Sequence, residues 1–247
     1  MNTKDLAKKI RFFDDCYRRG EAKRSDSHFN QLENNLRRVD PKNNYFNQKL
    51  VLPSLENGQA SEFLGNLLPD TRLIITPKID GCAIALQYEN GTFKKAISKK
   101  GRDVSYAIRK VKNIPHNIPT KATLLVRGEL YSPALKPARS RRVASGLLGK
   151  KDPNGKNLAF CAFQILNGEV NYYSSLQVLQ KLWFEIPEAE HTNPLGVEMY
   201  RQLWKEGKLF KGYPMDGIVL AVNSRKLQKQ LESKYSSCPH WQYAIKD

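Results

Sequence analysis

The sequence is poor in cysteine and has no long apolar segment. Its four cysteines are scattered through 247 residues without a CxxC pair, which argues against a disulfide framework and a four-cysteine zinc site. We therefore expect a cytoplasmic protein in a reducing environment. No apolar stretch approaches the roughly 20 residues that span a bilayer, and the charged N-terminal residues do not form a signal-peptide core. The sequence predicts no membrane partner.

Acidic residues are in deficit. The chain contains 24 Asp and Glu residues and 41 Lys and Arg residues, which gives a net charge of +17. Hydrophobic residues make up 40% of the sequence. That composition predicts a globular core, so the basic excess lies on a folded surface, where it favours nucleic acid or nucleotide phosphates as partners. The excess is concentrated at 94–112, with eight basic residues against one acid, and at 136–156, with seven against one.

Hydrophobic spacing divides the chain into a helical beginning and a β-rich remainder. Helices are predicted at about residues 4–18 and after Ser25 as N-cap. The second helix has apolar residues at helical spacing: Phe29, Leu32, Leu36 and Val39. We expect residues 1–46 to form a small N-terminal helical appendage and residues 47–247 to form an α+β domain with largely antiparallel sheets.

Beyond residue 47 the sequence alternates β-rich runs with short helical runs. Two of the β-rich runs flank Asn90-Gly91, which is a strong hairpin signal. Strands are predicted at 73–76, 82–88, 92–98, 123–131, 158–166, 217–222 and 241–245. Helices are predicted with Ser61 as a cap and near 103–112, 174–184, 195–206 and 224–231. Residues 132–157 are rich in Gly, Lys and Arg and are predicted to form a long loop.

A lysine lies in the tight connection between two predicted strands. In Lys78-Ile79-Asp80-Gly81 the glycine permits a sharp turn, and the preceding Pro77 keeps the backbone extended. Such a lysine can act as a nucleophile when its amine is the free base. In a lysine-rich chain this motif alone is more often a solvated turn.

Charged residues also interrupt other apolar strands. Glu129 lies within one predicted strand, Asp216 opens another, and Lys246 follows the last. Buried charge is costly unless it is paired or used. Each residue alone is explained by a structural salt bridge. Together with Lys78 and Asp80 they predict a site in which two lysines and two or three carboxylates line a cleft in a sheet.

The chain resembles the adenylation segment of bacterial-type NAD-dependent DNA ligases, members of the covalent nucleotidyltransferase superfamily. The similar stretches are collinear and cover nearly the whole chain: LPSLEN (52–57), PKIDG to YENG (77–91), GRDVSYAIRKVKNIP (101–115), VRGELY (126–131), ARSRRVASGLLGKKDP (138–153), MDGIVLAVN (215–223) and CPHWQYAIKD (238–247). The resemblance implies the ATP-grasp-like ligase adenylation fold.

The resemblance also implies a catalytic cycle. Lys78 would attack the adenylyl phosphate of NAD to form lysyl-AMP and release nicotinamide mononucleotide, and Asp80 would orient that lysine. Lys246 would neutralise charge on the α-phosphate. Asp216, together with Asp80, would act through magnesium, whose preference for hard oxygen ligands suits carboxylates and phosphates. Arg141 would lie near both this site and the DNA.

The same resemblance implies contacts to the rest of the nucleotide. Glu129 would hold a ribose hydroxyl, Lys99 would lie near the ribose, and Val219 would pack on one face of the adenine. For the other face the sequence leaves two candidates, Ala162 and Phe163.

Tyr17 and Asp26 match residues with which the family's helical domain contacts the nicotinamide half of NAD. The neighbouring matches, Phe29 and Asn30, depart from the family's types, and they are equally well explained as a core and a surface residue of a helix.

We expect nicked DNA as a partner. Because the chain stops after the last adenylation motif, we also expect a separate subunit that carries OB, zinc and helix-hairpin-helix modules.

Two other functions stay open from the sequence. One is an ATP-using polynucleotide ligase or related nucleotidyltransferase, which the altered nicotinamide contacts permit. The other is a catalytically degenerate module that binds nucleic acid or a partner through its basic surface. The hypothesis of a degenerate module is suggested by three residues that stand where the family has charged residues: Thr76, Gly149 and Ala221.

Overall fold

The computed structural model describes residues 2–18, 26–40, 52, 55–57, 60–150, 154–232 and 239–246. The helices in these parts are α1 Thr3–Arg18, α2 Asp26–Val39, α3 Ser61–Gly65, α4 Ser105–Ile108, α5 Pro137–Leu148, α6 Tyr172–Lys181, α7 Val197–Lys205 and α8 Arg225–Leu231. The strands are β1 Glu56–Asn57, β2 Leu73–Ile79, β3 Cys82–Glu89, β4 Thr92–Ser98, β5 Leu124–Tyr131, β6 Ala159–Ile165, β7 Glu190–Thr192, β8 Met215–Val222 and β9 Gln242–Ile245. A 3₁₀ turn, Pro194–Gly196, precedes α7.

The strands form two sheets. One has the order β1-β9-β8-β2-β7 and the other the order β4-β3-β5-β6. The paired strands run antiparallel except β1 and β9, which are parallel. The predicted α+β fold with largely antiparallel sheets is therefore confirmed, and the two strands that flank Asn90-Gly91, β3 and β4, form the expected hairpin.

The short link between β2 and β3 crosses from one sheet to the other. Only Asp80 and Gly81 separate the two strands, and the Asp80 N–H donates to the Pro214 carbonyl at 2.7 Å. A Cβ on Gly81 would lie 2.1 Å from the Leu130 carbonyl oxygen. The glycine therefore permits a close backbone approach that joins the two sheets beside Lys78.

Helix α6 packs into the cores of both sheets. Tyr172 and Leu176 belong to the core of the sheet that contains β2 and β8. Leu179 and the adjoining Leu182 belong to the core of the other sheet. Full burial of a leucine side chain contributes about 1.5–3 kcal/mol. One helix thus ties the two sheets together.

The N-terminal helices α1 and α2 pack on each other, and α1 also contacts α4. Their shared core consists of Leu6, Ala7, Ile10, Leu32 and Leu36. The helical spacing predicts that Val39 lies on the apolar face of α2, but its side chain is 57% exposed. Three features predicted from the sequence lie outside the described residues and stay predictions: the N-cap Ser25, the apolar contact of the Phe29 side chain and the boundary between residues 46 and 47.

The prediction of a long loop over 132–157 is wrong, because α5 occupies its middle. Pro137 begins the helix, where its missing N–H has no helical partner to lose. The buried face of α5 contains only Ser140, Ala144 and Leu147. This weakly apolar stripe among basic residues resembles a loop in sequence.

Other boundaries also differ from the prediction. Ser61 is the first residue of α3, and Ala60 occupies the cap position without a side-chain hydrogen bond. The helix expected over 103–112 is limited to α4. In the described parts of the chain, no helix is both long and apolar enough to cross a membrane.

We predict that Gly217→Ala lowers the free energy of unfolding by about 1–3 kcal/mol, the usual cost of overpacking. The new Cβ would lie 2.1 Å from the Ile245 carbonyl oxygen and 3.4 Å from Cγ of Lys246. Urea unfolding measures the change. Gly212→Ala is the control, because its Cβ would meet no atom within 4 Å. Equal stability of the two variants would contradict the close packing of β8 on β9.

Candidate active site

A cavity of about 850 Å³ opens where the two sheets meet, a volume typical of small-molecule sites. Its wall contains most of the residues singled out from the sequence: Lys78, Asp80, Lys99, Glu129, Arg141, Val219 and Lys246. These residues come from β2, β5, β8, α5 and the segments that follow β2, β4 and β9. The structure thus brings these residues, which are distant in sequence, to one cleft.

Asp216 joins the two lysines of the site. Its Oδ1 lies 2.7 Å from Lys78 Nζ, and its Oδ2 lies 2.9 Å from Lys246 Nζ. The order of strands explains this contact, because β8 lies between β2 and β9. Burial alone raises the pKa of Asp216, but the hydrogen bonds from the two lysines outweigh burial and lower it. The carboxylate therefore stays ionised and holds both lysines in place.

Lys78 lies at an irregularity in β2. The pairing of β2 with β8 shifts register between Pro77 and Ile79, and such bulges redirect side chains, often next to active sites. The Lys78 side chain is 20% exposed. It is therefore accessible from the cavity while Asp216 fixes its position.

Arg141 connects the second carboxylate to the same cluster. Both Nε and Nη2 of Arg141 contact Oδ1 of Asp80, and Nη2 lies 3.6 Å from Oδ2 of Asp216. Asp80 is almost fully buried, whereas Arg141 is half-exposed. The hydrogen bond to Asp80 raises the pKa of Arg141 further above its ordinary value. The guanidinium thus neutralises a carboxylate that burial alone would make costly.

Glu129 lies on β5 in the cavity wall. Burial raises its pKa to about 8, although the charges of Arg127, Lys78 and Lys99 act in the opposite direction. The protonated carboxyl is therefore favoured at neutral pH. A protonated carboxyl both donates and accepts hydrogen bonds, which suits contact with a hydroxyl group.

At the apolar end of the cavity, Val219 and Phe163 line the wall. Ala162 is fully buried in the hydrophobic core instead, so of the two candidates left open by the sequence only Phe163 can touch a ligand there. Sequence reasoning missed Arg127 as a cavity residue, and its guanidinium carbon lies 5.5 Å from the centre of the Phe163 ring.

Three further polar residues also line the cavity: Thr76, Tyr172 and Gln242. All three are buried. Tyr172 and Gln242 begin a helix and a strand, and in the sequence they look like ordinary residues of those elements. The departure at Thr76 was visible in the sequence, but its burial beside Tyr172 was not.

Asp80 and Asp216, the predicted metal ligands, are both held by cationic side chains. Within the described residues, no group of three or more His, Cys, Asp or Glu side chains is arranged to hold a metal ion. Magnesium is commonly bound by one or two carboxylates with waters and substrate phosphates. The donor set therefore fits magnesium only when a nucleotide supplies phosphate oxygens.

Some residues from the sequence do not join the cavity wall. The side chains of Tyr17 and Asp26 lie outside the described residues, so nicotinamide contact by them stays a prediction. Gly149 and Ala221 do not line the cavity, and Ala221 is fully buried in the core. The lack of charge at these two positions therefore leaves the cavity wall unchanged.

Comparison with known families and curated proteins gives one consistent result. The model of a family described as NAD-dependent DNA ligase adenylation domain matches residues 26–246. The DNA ligase of Thermotoga maritima is 31% identical over 197 residues, which cover 68% of this chain and 28% of that protein. The DNA ligase of Anoxybacillus flavithermus is 28% identical over 205 residues, which cover 72% and 30%. The chain thus spans about 30% of the length of these relatives.

Solved structures show the same fold. The ligase domain of LigD from M. tuberculosis superposes with a TM-score of 0.51 and 15% identity, over 82% of this chain and 61% of that one. An archaeal ATP-dependent RNA ligase gives a TM-score of 0.50 and 12% identity, over 80% and 48%. The predicted nucleotidyltransferase ligase fold is confirmed by these similarities, which at such identities concern the fold alone.

We predict that Glu129→Gln gains stability relative to the wild-type protein as the pH rises from 4.5 to about 8. In this window the unfolded chain loses the Glu129 proton, whereas the folded protein retains it up to a pKa of about 8. Wild-type folding therefore weakens as the pH rises, and the glutamine variant, which cannot ionise, escapes that loss.

Urea unfolding of both proteins across this pH range measures the difference. Glu198→Gln, at an exposed position on α7, serves as the control and should show no comparable trend. A difference between Glu129→Gln and the wild-type protein that stays flat across the range would refute the raised pKa.

Proposed function

Because the chain belongs to the family of NAD-dependent DNA ligase adenylation domains, we propose that it carries out the adenylation step of a DNA ligase. In this step AMP is transferred from NAD to Lys78, and the AMP then passes to the 5′-phosphate of nicked DNA so that the nick can be sealed. The observation that carries the proposal is the Asp216 carboxylate, which holds Lys78 and Lys246 at 2.7 Å and 2.9 Å beside a ligand-sized cavity.

Lys78 is the nucleophile of the proposed reaction. As the free amine, its Nζ forms a bond to the α-phosphorus of NAD while the bond from that phosphorus to the bridging oxygen breaks. Nicotinamide mononucleotide leaves with the bridging oxygen, and the extra proton on nitrogen passes to solvent. Asp216 orients the amine for this attack, since an aligned nucleophile removes much of the entropic cost of reaction.

Lys246 and Arg141 supply positive charge around the reacting phosphate. Both cations are within 4 Å of Asp216, so they are already in place before the nucleotide binds. Phosphoryl-type transfer depends chiefly on such positioning and on electrostatic stabilisation of developing negative charge. Asp80 positions Arg141 through its hydrogen bonds.

The remaining contacts fit the rest of the nucleotide. Glu129 would bind a ribose hydroxyl near Lys99, and the adenine would lie between Val219 and Phe163 at the apolar end. Asp216 and Asp80 would hold magnesium together with phosphate oxygens, and the ion would supply further neutralisation of phosphate charge.

Nicked DNA is the proposed acceptor of the adenylate. The segments 94–112 and 136–156 contain most of the excess basic residues, and both contribute described residues to the cavity wall. Lysine and arginine on such a surface bind phosphates with release of counterions. The separate subunit with OB, zinc and helix-hairpin-helix modules stays a prediction from the resemblance.

We predict that the protein, incubated with magnesium and NAD, gains the mass of one AMP, and that Lys78→Ala abolishes this gain. Intact-mass spectrometry measures the adduct. Lys208→Ala is the matched control, since Lys208 is exposed and pairs only with Glu206 among the described residues. The control should form the adduct as the wild-type protein does.

A parallel incubation with ATP distinguishes the open alternatives. An adduct with ATP and none with NAD would transfer the assignment to an ATP-using nucleotidyltransferase. If neither nucleotide gives an adduct while DNA still binds with a strong salt dependence, the chain is a non-catalytic nucleic-acid-binding module. The convergence of Lys78, Asp80, Glu129 and Lys246 on one cavity, with Asp216 bound to both lysines, supports the enzyme over that module.

We predict that Arg139→Glu weakens binding to nicked duplex DNA and leaves lysyl-AMP formation unchanged. Arg139 is exposed on α5 and does not line the cavity. Loss of one phosphate contact should reduce the slope of log K against log salt concentration by about 1. Fluorescence anisotropy at several salt concentrations measures the slope. Lys181→Glu, outside both basic segments, is the control, and an equal effect there would refute a localised DNA surface.

A further inference from the structure

The cations that line the cavity fall into two groups. At its base, the cations of the reactive cluster are bound to Asp216 or Asp80. Lys99, Lys100 and Arg142 also line the cavity and are exposed. Within the parts of the chain that the structure describes, none of these three has a carboxylate within 4 Å. The outer part of the cavity therefore carries positive charge that no described carboxylate pairs with directly.

The two lysines lie on a tight turn between β4 and α4. The Ser98 N–H donates to the Arg102 carbonyl at 2.8 Å, and the Gly101 N–H donates to the Ser98 carbonyl at 2.7 Å. The Arg102 N–H also donates to the Ser98 hydroxyl at 3.2 Å. Gly101 has a φ of +76°, a left-handed conformation that favours glycine. Hydrogen bonds between Ser98 on one side and Gly101 and Arg102 on the other thus close the turn that contains Lys99 and Lys100.

A buried carboxylate fixes this turn to the domain. Asp103 is 1% exposed, and its Oδ1 accepts hydrogen bonds from the N–H and the hydroxyl of Ser105 at 2.9 Å and 2.6 Å. The Ser105 hydroxyl oxygen in turn accepts from the Ala96 N–H on β4 at 2.9 Å. The basic turn is therefore held in one shape before any ligand binds, which lowers the entropic cost of binding.

Arg142 comes from the neighbouring wall of the cavity. Helix α5, which contacts α4, lines the cavity with residues at helical spacing: Ala138, Arg141, Arg142, Ser145 and Leu148. Arg141 is committed to Asp80. Arg142, one residue further along, is the next cation of this wall, and it lines the same cavity as the basic turn.

We propose that Lys100 and Arg142 form a phosphate subsite in the outer part of the cavity, which binds a phosphate group other than the one transferred to Lys78. The proposal rests on the proposed adenylation function, and Lys99 keeps its predicted place near the ribose. An arginine and a lysine on two fixed walls match the charge and the hydrogen-bond acceptors of a phosphate group. That phosphate comes either from the leaving half of the nucleotide donor or from the 5′ end of the nick.

The test compares AMP with ADP, because the two ligands differ only in one additional phosphate. The double variant Lys100→Gln/Arg142→Gln is matched by Lys121→Gln/Lys226→Gln, which removes the same charge from exposed lysines outside the cavity wall and outside both basic segments. Isothermal titration calorimetry gives both dissociation constants. If the phosphate belongs to the donor, the cavity variant should bind ADP about tenfold more weakly and AMP as the control does.

A second arm tests the other source. Binding is measured for nicked duplexes that carry either a 5′-phosphate or a 5′-hydroxyl at the nick. If the phosphate belongs to DNA, the ratio of the affinity for the 5′-phosphate duplex to that for the 5′-hydroxyl duplex should be about tenfold smaller in the cavity variant than in the control. The ratio of ADP to AMP affinity should then be unchanged. If both ratios equal those of the control, or if AMP and ADP binding weaken together, the subsite is refuted.

The intact-mass assay separates this proposal from the proposed function. At saturating NAD the cavity variant should still gain one AMP, because Lys78 and its partners are unchanged. Absence of an adduct in the wild-type protein with either nucleotide would refute the adenylation function. Loss of the adduct in the cavity variant alone would show that these cations act on the transferred phosphate, which contradicts a subsite for a different one.

Discussion

The candidate site depends on one carboxylate that is shared by two lysines. Without Asp216, Lys78 and Lys246 would place two positive charges next to each other on flanking strands, and their repulsion would favour separation of the side chains. With it, both ammonium groups are fixed at the end of a sheet before a nucleotide enters. Arg141 extends the same cluster to Asp80, so the charges within this cluster of two carboxylates and three cations are nearly balanced.

Backbone geometry makes this cluster possible. Gly81 lets the chain cross between the sheets directly after Asp80, and Gly217 lets β8 approach the end of β9 directly after Asp216. In both places the glycine follows a charged residue of the site. The register shift of β2 between Pro77 and Ile79 also contributes, because such an irregularity changes the direction of the Lys78 side chain. The charged groups and the close backbone contacts are thus parts of one arrangement.

Much of this arrangement could be predicted from sequence, because charged residues stand out in apolar strands. Lys78, Glu129, Asp216 and Lys246 were recognisable for that reason, and so was the hairpin at Asn90-Gly91. The pairing within the cluster could not be predicted, since it depends on β8 lying between β2 and β9, a non-local order that spacing does not encode. Helix α5 was missed because its buried stripe is short and weakly apolar.

The position of α6 bears on how the cavity can change shape. Its leucines are buried in the cores of both sheets, so a hinge between the sheets would have to pull apolar side chains out of at least one of them. That would expose packed surface to water at a cost of several kcal/mol, on the order of the burial energy of two leucines. The packing of α6 therefore opposes any change in the width of the cleft, and a ligand has to fit the separation of the two sheets that this helix sets.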